Sequence, residues 1–583
     1  MRVIIVGGAA AGPKAAARIG RVCPDPEIIL FEKGKSLSLA ACGLPYLVGG
    51  EVADHEMLMA TPTGAPRNSA YFEKVKNVSV RIETAVTSID PGGKRVAFEN
   101  LRTGEKGIES YDKLLLATGA SPIRPPVKGV DLKHIVCLHT IEDSQQITMN
   151  AEESDERNVV IVGAGLIGVE TAEALVAKGC RVTVVELLPQ VLQMLDREMA
   201  MPVQRQLTDM GVRVLTETRV EEFLPASDGQ SVAAVRTSDG ELPADLVILG
   251  VGVRPNIELA QAAGLEIGAL GAIVTNERMR TSDPHIYAAG DCVETRNLLT
   301  GKACYIPLGS TANKQGRVAA NSICGIDDAF PGVLGSAICK VFDVTAARTG
   351  LSEQQARDGG YDVVTALCPG PDRPHFMPGF KMLILKLIAD RQTGRLLGAQ
   401  AVGAGSADKR INVAATAITA RMTVDDISRL DLAYAPPYSP AMDNIITAAN
   451  IVRNKINGLM DDLSPAELWA RMNDGEDFFL LDPRAPDEVA AVSLPGTDNI
   501  PLNALRERLD EVPADGEIVC LCMLSLRGYE AARMLNNAGR ANVRVLDGGI
   551  AAWPYEKITK GKGAKDDRTD SQRLPEWDLS KHN

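Results

Sequence analysis

The stretch VIIVGGAAAG at residues 3–12 decides the fold of this chain. A short apolar strand runs directly into glycines, and the following AAARIGRV is typical of a helix. Gly7, Ala9 and Gly12 occupy the three positions of a dinucleotide-binding fingerprint, with alanine at the second. Because the free N–H groups and the dipole of a helix N-terminus attract a pyrophosphate, these residues predict a dinucleotide site.

An acidic residue completes the pattern, and the whole pattern then recurs. Strand EIILFE ends at Glu32, where a carboxylate can accept hydrogen bonds from a ribose hydroxyl. The second copy, VVIVGAGLIGVETAEAL at residues 159–175, is followed by strand RVTVVE, which ends at Glu186. The glycines of this second fingerprint are Gly163, Gly165 and Gly168. A mononucleotide site or a tight packing turn is the alternative for each copy, but strand, glycines and acid together favour two dinucleotide sites.

Glu186 also bears on the choice of nicotinamide. A carboxylate repels a 2′-phosphate, and the next three residues, Leu-Leu-Pro, provide no cation to bind one. The sequence therefore favours NADH over NADPH.

Length and composition exclude several classes of protein. At 583 residues we expect roughly three to five domains. A net charge of −13 without a concentrated basic face argues against nucleic-acid binding, which needs clustered cations. The N-terminal apolar run is too short for a secretory signal, and no segment reaches the roughly 18 apolar residues of a membrane span. We expect a cytoplasmic protein with no membrane association, and eleven scattered cysteines that remain free thiols.

Three further stretches resemble the flavoprotein family that carries two dinucleotide-binding domains. They are YDKLLLATGASP (111–122), LVILGVGVRPN (246–256) and TSDPHIYAAGDC (281–292). The resemblance implies an α/β protein with two Rossmann-like domains, of which the first binds FAD and the second the nicotinamide. It further implies that Asp291 hydrogen-bonds the FAD ribityl chain. The remaining cofactor-binding residues that it implies are Ala117, Thr118, Gly119 and Gly252.

Cys42, in SLAACGLPY at residues 38–46, has no second cysteine within ten residues on either side. It precedes a predicted helix, CGLPYLV, whose N-terminus can lower the pKa of a thiol, and only the thiolate attacks sulfur. A buried, inert cysteine is the alternative. The placement favours a reactive thiol.

Within the family, Cys42 resembles the single-cysteine branch. Leu37 and Leu47 exclude the CxxxxC pair of glutathione-reductase-like members. The branch contains coenzyme A disulfide reductases, NADH oxidases, NADH peroxidases and NADH-dependent persulfide or polysulfide reductases. Ala10 stands where the oxidases and peroxidases carry a histidine, and ACGLPYLVGG is similar to the coenzyme A disulfide and persulfide reductase pattern. A single thiol suffices if the substrate provides the second sulfur.

Residues 326–455 resemble the dimerisation domain of this family, which implies a homodimer. DLAYAPPYSPAMD (431–443) matches the stretch that brings a tyrosine to the partner's cysteine, so Tyr434 or Tyr438 is the candidate; a core tyrosine is the alternative. The stretch HFMPG (375–379) departs from the His-Tyr-Tyr-Pro-Gly of coenzyme A disulfide reductases, which favours a smaller or more oxidised sulfur substrate. The basic residues that could bind the phosphates of coenzyme A, or simply form a solvated face, are Lys14, Arg18, Arg21 and Arg67.

A second module begins near residue 462 and resembles a rhodanese domain. CMLSLR, from Cys522 to Arg527, carries its predicted active site. Cys522 follows an apolar strand, and the loop opens a helix, so backbone N–H groups can converge on the sulfur. Apart from Arg527 the loop is uncharged, which argues against dianionic thiosulfate and favours a persulfide carrier. Cys520 lies two residues earlier, but no further Cys or His nearby supports a metal site, and none is predicted.

The modules together predict an NADH-driven persulfide or polysulfide reductase in which Cys522 delivers sulfane sulfur and Cys42 reduces it. Coenzyme A disulfide reduction, and a sensor or sulfur carrier without turnover, are the alternatives. The expected domains are 1–150 with 255–325 for FAD, 151–254 for NADH, 326–455 for dimerisation, 462–560 for the rhodanese, and a polar tail at 561–583.

Overall fold

The computed structural model describes residues 1–153, 156–555 and 557–559. The predicted polar tail at 561–583 lies outside these residues. The chain forms two compact units, one made of residues 1–187 with 217–335 and the other of residues 188–216 with those from 336 onward. No helix in the described part of the chain is long and apolar enough to cross a membrane.

The α-helices of the described residues are α1 Ala11–Val22, α2 Leu44–Gly49, α3 Ser69–Lys76, α4 Ile141–Glu152, α5 Leu166–Ala177, α6 Arg197–Asp209, α7 Glu258–Ala262, α8 Gly309–Ile323, α9 Glu353–Asp358, α10 Ala407–Thr419, α11 Val424–Ile427, α12 Asn444–Ile456, α13 Pro465–Asn473, α14 Pro486–Ala491 and α15 Leu526–Asn537. Short 3-10 helices lie at Ala41–Gly43, His55–Met59, Leu509–Glu511 and Ile550–Ala552.

The strands are β1 Arg2–Val6, β2 Glu27–Phe31, β3 Ser79–Arg81, β4 Thr84–Asp90, β5 Arg95–Asn100, β6 Lys106–Ser110, β7 Lys113–Leu116, β8 Ala120–Pro122, β9 Ile135–Cys137, β10 Asn158–Val162, β11 Arg181–Val185, β12 Arg213–Leu215, β13 Val220–Pro225, β14 Val232–Thr237, β15 Gly240–Pro243, β16 Leu246–Leu249, β17 Val253–Pro255, β18 Ile286–Ala288, β19 Thr295–Arg296, β20 Ala303–Cys304, β21 Ala337–Val341, β22 Val344–Gly350, β23 Val363–Pro371, β24 Met382–Asp390, β25 Leu396–Gly403, β26 Asp462–Leu463, β27 Phe479–Asp482, β28 Val492–Ser493, β29 Thr497–Asn499, β30 Ile518–Cys520, β31 Val543–Leu546 and β32 Ile558–Thr559.

The first unit is built on two parallel sheets. The first has the order β18-β7-β1-β2-β3, and every neighbouring pair in it is parallel. In the second, β11-β10-β16-β9 are likewise parallel. Both central strands, β1 and β10, are almost fully buried, as expected when helices cover both faces of a parallel sheet.

One predicted boundary is wrong in detail. Strand β9 at Ile135–Cys137 was expected within the first dinucleotide domain, since that domain was predicted to continue to residue 150. It pairs instead with β16 of the second sheet. Its three residues are all buried and apolar, so they fit a central sheet, and nothing in their local sequence indicates which sheet they join.

The second unit contains an antiparallel sheet of order β21-β22-β25-β24-β23, against which α10 and α12 pack. Lys386 of β24 is buried in this unit, and its ammonium lies 2.5–2.8 Å from the carboxylates of Asp196, Glu198 and Glu353. These three acids are close enough together to hold a cation, and the lysine ammonium is positioned to neutralise them.

The same unit contains a parallel sheet of order β26-β31-β30-β27-β29, with α15 packed on β30 and β31. Two apolar clusters form its core, one of which includes the buried Trp553. This sheet carries the residues predicted to form the rhodanese module.

A buried ion pair joins these two sheets. Lys455 of α12 places its ammonium 2.7 Å from Asp462, 2.9 Å from Asp547 and 2.8 Å from the carbonyl oxygen of Thr365. Asp547 also accepts a hydrogen bond from the backbone N–H of Leu367 in β23, at 3.0 Å. Burial raises the pKa of the Asp547 carboxyl. Burial alone would lower the pKa of Lys455, but the carboxylates of Asp547 and Asp462 raise it above its ordinary value. The rhodanese-like sheet is therefore fixed to the antiparallel sheet.

Candidate active site

The first fingerprint forms a turn that only glycine can occupy. Gly7 has φ +111°, and a Cβ built on it would lie 2.0 Å from the carbonyl oxygen of Ala117. A Cβ on Gly12 would lie 1.9 Å from the carbonyl oxygen of Gly7, so the first turn of α1 packs directly on the loop. This close approach leaves the N-terminus of α1 open to a phosphate group.

Glu32 ties this loop to the end of β2. Its carboxylate accepts hydrogen bonds from the backbone N–H groups of Gly8 and Gly34, both at 2.6 Å. Gly7 also donates its N–H to the carbonyl oxygen of Phe31 at 2.8 Å. Strand end, acid and glycine loop therefore form one rigid structure, which fits the adenosine half of a dinucleotide.

The second fingerprint repeats this geometry. A Cβ on Gly163 would lie 2.5 Å from the carbonyl oxygen of Gly250, and one on Gly168 would lie 2.1 Å from that of Gly163. Glu186 accepts a hydrogen bond from the N–H of Ala164 at 2.7 Å. Gly165 corresponds to Ala9 of the first copy, and open space surrounds the Cβ position of this glycine.

Asp291 provides the observation that bears most directly on a flavin. Its carboxylate forms no hydrogen bond or ion pair with any described residue, and burial raises its pKa to about 6. The adjacent Gly290 has φ +88°, and a Cβ there would lie 3.3 Å from Ala11 at the start of α1. An unpaired, partly buried carboxylate beside the α1 loop fits the acceptor predicted for the FAD ribityl chain.

The other predicted cofactor-binding residues form linked turns. The Thr118 hydroxyl donates to the carbonyl oxygen of Asn256 at 2.7 Å, and the Asn256 amide donates to that of Thr118 at 2.8 Å. Gly119 and Gly252 have φ +67° and +98°. This arrangement holds the ATG and GVG stretches beside each other, as residues that frame one cofactor need to be.

Cys42 lies in the 3-10 turn Ala41–Gly43, immediately before α2. Of the eleven cysteines, all of them in the described part of the chain, only Cys42 is exposed. A Cβ on Gly43 would lie 2.4 Å from Leu58, and one on Gly309, at the start of α8, would lie 3.9 Å from the Cys42 sulfur. The thiol is therefore accessible next to the N-terminus of the fifteen-residue helix α8.

The predicted low pKa of Cys42 is wrong. Although the residue as a whole is exposed, protein atoms around its sulfur partly exclude water, and this burial raises the thiol pKa. The carboxylates of Glu170 and Asp291 raise it further, and a backbone hydrogen bond opposes them only weakly. The following helix α2 has only six residues, and the net shift is upward, caused first by burial and then by these carboxylates.

Glu170 was not identified from the sequence. It lies on α5, two residues after Gly168, and accepts a hydrogen bond from the hydroxyl of Tyr46 on α2 at 3.1 Å. Burial raises the pKa of its carboxyl to about 7. A titrating carboxyl thus lies close enough to Cys42 to affect its charge, and the only sequence signal was an acid within the second fingerprint helix.

The predicted coenzyme A cations lie in three different surroundings. Lys14 and Arg21 are exposed on α1, whereas Arg18 donates to Asn321 at 2.7 Å. Arg67 lies 3.4 Å from the hydroxyl of Ser38, four residues before Cys42. Arg67 is thus placed near the thiol segment.

The predicted tyrosines lie on the surface of the second unit. Tyr434 is 51% exposed and Tyr438 is 73% exposed. They share this unit with the exposed Phe376 and Met442. These side chains are therefore available to a second copy of the chain and are not core residues.

The rhodanese-like loop holds Cys522 at its base. The residue is 2% exposed, and its carbonyl oxygen accepts the N–H of Ile550 at 2.9 Å. Gly549 passes so close beneath the loop that a Cβ would lie 2.3 Å from the same oxygen. Ser525 takes a left-handed conformation with φ +68°, and its hydroxyl donates to the carbonyl oxygen of Leu546 at 2.7 Å.

Burial raises the pKa of the Cys522 thiol, and the surrounding loop opposes that effect. The backbone N–H groups of Gly528 and Leu524 favour the thiolate most strongly, followed by the charge of Arg527. The loop therefore forms the predicted cradle of N–H groups, which can stabilise a thiolate or persulfide anion.

Arg527 has a partner that the sequence did not indicate. Its Nη1 and Nη2 atoms lie 2.6 and 2.7 Å from the two carboxylate oxygens of Glu488, on α14. This bidentate pair holds the pKa of Glu488 below its ordinary value. Glu488 lies 39 residues before Arg527, and its position in the helix-capping stretch APDE was its only local feature.

Three family models match the chain along its length. The pyridine nucleotide-disulphide oxidoreductase model matches residues 1–316, the dimerisation-domain model of the same family matches 336–446, and the rhodanese-like model matches 464–555.

Named relatives and solved structures show the same arrangement. The chain is 40% identical over 453 residues to an "NAD(P)H sulfur oxidoreductase (CoA-dependent)" of Pyrococcus abyssi, which covers 77% of this chain and 98% of that protein. A solved NAD-dependent persulfide reductase from A. fulgidus has a TM-score of 0.90 and 46% identity, covering 95% of this chain and all of that one. The reduced CoADR-RHD of Bacillus anthracis has a TM-score of 0.89 and 36% identity, covering 95% and 97%. The chain therefore belongs to the pyridine nucleotide-disulphide oxidoreductase family and also contains a rhodanese-like domain.

Proposed function

We propose that this chain is an FAD-dependent NADH:persulfide or polysulfide reductase that releases sulfide. Coenzyme A persulfide is its proposed substrate, and Cys522 is the proposed source of the sulfane sulfur. The observation that carries the proposal is that Cys42 is the only exposed cysteine of the chain. Because no second exposed thiol is available, the sulfur that pairs with Cys42 has to come from the ligand.

The names of the relatives support this substrate class. The sulfur oxidoreductase of Pyrococcus abyssi is named as CoA-dependent, and the similar A. fulgidus structure is named a persulfide reductase. The rhodanese-like module supports it independently, since its buried Cys522 has the N–H cradle of a persulfide site.

The proposed chemistry at Cys42 is one sulfur exchange and one reduction. The Cys42 thiolate attacks the inner sulfur of a persulfide RS–SH, forms a mixed disulfide with RS and releases HS⁻. Two electrons from NADH then cleave the mixed disulfide, which returns the Cys42 thiolate and RSH. The net reaction is RSSH + NADH → RSH + HS⁻ + NAD⁺. Bound FAD supplies the two-electron transfer between NADH and the disulfide.

The residues that would hold the cofactors follow from the two fingerprints. Gly7, Gly12 and Glu32 would hold the adenosine and pyrophosphate of FAD, and Asp291 would accept a hydrogen bond from its ribityl chain. Glu186 would bind the adenosine ribose of NADH, and its charge disfavours the 2′-phosphate of NADPH.

Glu170 is the proposed proton site beside Cys42. Its pKa of about 7 means that both protonation states are populated at neutral pH. The Tyr46 hydroxyl, 3.1 Å away, holds the carboxyl in place. A protonated Glu170 can donate a hydrogen bond to the HS⁻ that leaves, whereas its ionised form disfavours the Cys42 thiolate.

Coenzyme A and a second subunit complete the proposed site. Lys14, Arg18, Arg21 and Arg67 are the proposed phosphate contacts. The chain is proposed to act as a homodimer, in which the exposed hydroxyls of Tyr434 and Tyr438 reach the thiol of the partner. The dimerisation-domain match at residues 336–446 supports this assembly.

The test is NADH oxidation without oxygen, measured with sulfide release on coenzyme A persulfide, polysulfide and coenzyme A disulfide. We expect sulfide from the first two at the faster turnover. Faster disulfide turnover without sulfide would instead make the chain a coenzyme A disulfide reductase.

Two variants separate the roles of the thiols. Cys42→Ser should abolish turnover with every sulfur substrate, whereas Cys522→Ser should abolish only turnover that begins from an external sulfane donor. Cys23→Ala, at a half-buried cysteine just after α1, is the matched control and should retain both activities. Full NADH consumption by Cys42→Ser would contradict the mechanism, whereas a wild type that consumes no NADH with any of the sulfur substrates would favour a sensor or carrier.

A further inference from the structure

The charge of the Cys522 loop is cancelled within the structure. Among its residues, from Cys522 to Arg527, only Arg527 is charged. Both outer nitrogens of that guanidinium are bound by the Glu488 carboxylate, at 2.6 and 2.7 Å. The loop and its carboxylate partner together therefore have no net charge.

Glu488 is firmly held in this position. The first turn of α14 uses the same carboxylate, since Glu488 Oε2 accepts the backbone N–H of Ala485 at 3.2 Å. Immediately before α14, Arg484 and Asp482 form a fully buried ion pair at 2.6 Å. Arg527 and Glu488 are each partly shielded from water, with side chains 35% and 21% exposed. Shielding and bidentate geometry make such a pair stronger than a fully exposed one.

The side chains between the two ends of the loop are apolar or neutral. Leu526 is 64% exposed and Leu524 is 36% exposed, whereas Cys522 is recessed at 2%. The most exposed side chains of the loop around the thiol are therefore leucines. A dianion would lose its hydration there without gaining a free cation, which is unfavourable. In a persulfide of a small thiol, the S–SH group that contains the sulfane sulfur is neutral or singly charged, unlike the thiosulfate dianion.

We propose that Glu488 sets the donor selectivity of the Cys522 loop by neutralising Arg527, so that the loop takes sulfane sulfur from persulfides of small thiols and excludes dianionic thiosulfate. The inference rests on the proposed role of Cys522 as the sulfur carrier. Glu488 acts through Arg527 and is therefore a positioning residue, which does not itself touch the transferred sulfur.

The transfer is the same for either donor. With a persulfide, the Cys522 thiolate attacks the terminal sulfur, the S–S bond of RS–SH breaks, and RS⁻ leaves as Cys522–S–SH forms. With thiosulfate, the leaving group is sulfite, which departs with the electron pair of the broken S–S bond. In the assay, cyanide removes the outer sulfur as thiocyanate and returns the thiolate. The donors differ in the charge that the loop has to accommodate.

The experiment measures thiocyanate formation by the full-length holoenzyme, with glutathione persulfide or thiosulfate as donor and no NADH. The measured quantity is the ratio of kcat/KM for thiosulfate to that for persulfide. We expect the wild type to favour persulfide by about a hundredfold or more. Glu488→Gln, which keeps the helix-cap acceptor but removes the charge, should raise the ratio about tenfold through a lower KM for thiosulfate. A gain of that size corresponds to about 1.4 kcal/mol.

Three further variants make the result specific. Glu488→Asp retains the charge and should keep the ratio close to that of the wild type. In Glu488→Gln combined with Arg527→Met the gain should disappear, because no cation is left to expose. Glu507→Gln is the matched control, since Glu507 is exposed and its side chain forms no hydrogen bond or ion pair in the described part of the chain. It should leave the ratio unchanged.

An unchanged ratio in Glu488→Gln, or equal use of both donors by the wild type, would overturn the inference. A general loss of structure would lower turnover with both donors, whereas the inference requires thiosulfate to improve. If the wild type transferred sulfur from neither donor, the carrier role of Cys522 and this inference would both be wrong. NADH-dependent sulfide release from coenzyme A persulfide would still measure the proposed reaction of Cys42 separately.

Discussion

Replacing Lys455 by methionine tests whether the rhodanese-like sheet is held to the antiparallel sheet by the buried ion pair. The side chains of Lys455 and Asp547 are 2% and 3% exposed. The Lys455 ammonium contacts Asp547 together with Asp462 and the carbonyl of Thr365. Lys455→Met leaves the Asp547 carboxylate buried with one remaining donor, the N–H of Leu367. Its other oxygen already has no hydrogen-bond partner.

The expected loss at pH 8 is about 3–5 kcal/mol, the usual cost of breaking a buried pair by removing one partner. The loss should shrink on acidification. Without Lys455, the pKa of Asp547 rises further above its ordinary value, so folded Asp547 binds a proton that the unfolded chain has released. Between the pKa of Asp547 in the unfolded chain and its higher pKa in the folded variant, the unfolding free energy of the variant falls as pH rises. The variant therefore regains stability as pH decreases.

The assay is urea unfolding followed by tryptophan fluorescence at pH 8 and pH 6. Two of the three tryptophans, Trp469 and Trp553, lie in the rhodanese-like domain, so the signal reports its unfolding. Lys381→Met, at an exposed lysine of the same unit, should change stability by less than about 0.5 kcal/mol. Adding Asp547→Asn to Lys455→Met should recover about 1–3 kcal/mol by removing the buried charge. A loss below about 1 kcal/mol at both pH values would refute the reasoning.

Three other predictions concern the first unit and Lys557, the residue before β32. Glu170→Gln removes a carboxylate that raises the pKa of Cys42, so alkylation of Cys42 by iodoacetamide at pH 7.5 should become several-fold faster; an unchanged rate would contradict the assignment. Burial lowers the pKa of Lys557 from 10.5 to about 7, so between these pH values the unfolded chain binds a proton that the folded chain does not. The free energy of unfolding should therefore rise with pH in this range. Lys557→Met should flatten this rise, as measured by urea titrations at pH 7 and 9.5. Gly12→Ala places a Cβ 1.9 Å from a backbone oxygen and should yield protein without flavin absorbance. Gly168→Ala places a Cβ 2.1 Å from a backbone oxygen of the second copy and should retain flavin absorbance but lose NADH binding. Loss of flavin in both variants would argue against two separate sites.

The fingerprints were predictable from the sequence because the physics that they express is local. Gly7 and Gly12 are five residues apart, and the strand, the turn and the helix that they join are contiguous. At Gly12 the clash that excludes a side chain arises within that segment, with the carbonyl of Gly7, whereas the clash at Gly7 involves the distant Ala117. The same holds for Cys522 and Arg527, whose loop connects one strand to one helix.

The electrostatics of both thiols were not predictable, because they depend on residues distant in the sequence. Cys42 was expected to have a lowered pKa from its own helix, but Glu170, 128 residues away, acts in the opposite direction. Arg527 is the only charged residue of its loop, and its partner Glu488 lies on another helix, 39 residues earlier in the sequence. Sequence patterns report the neighbours along the chain, whereas a pKa depends on all the neighbours in space.

The bond between Lys455 and Asp547 also bears on how such a chain can be shortened or recombined. The sequence changes character near residue 462, but removing the residues from there onward would leave the ammonium of Lys455, on α12, without its carboxylate partners. It would also leave the N–H of Leu367 in β23 without the Asp547 carboxylate that accepts it. The sequence therefore has a domain boundary at a place where the folded protein is held together by a buried ion pair. A rhodanese grafted from another protein would need its own carboxylate at position 547, and loss of the domain during evolution would require compensating changes at Lys455.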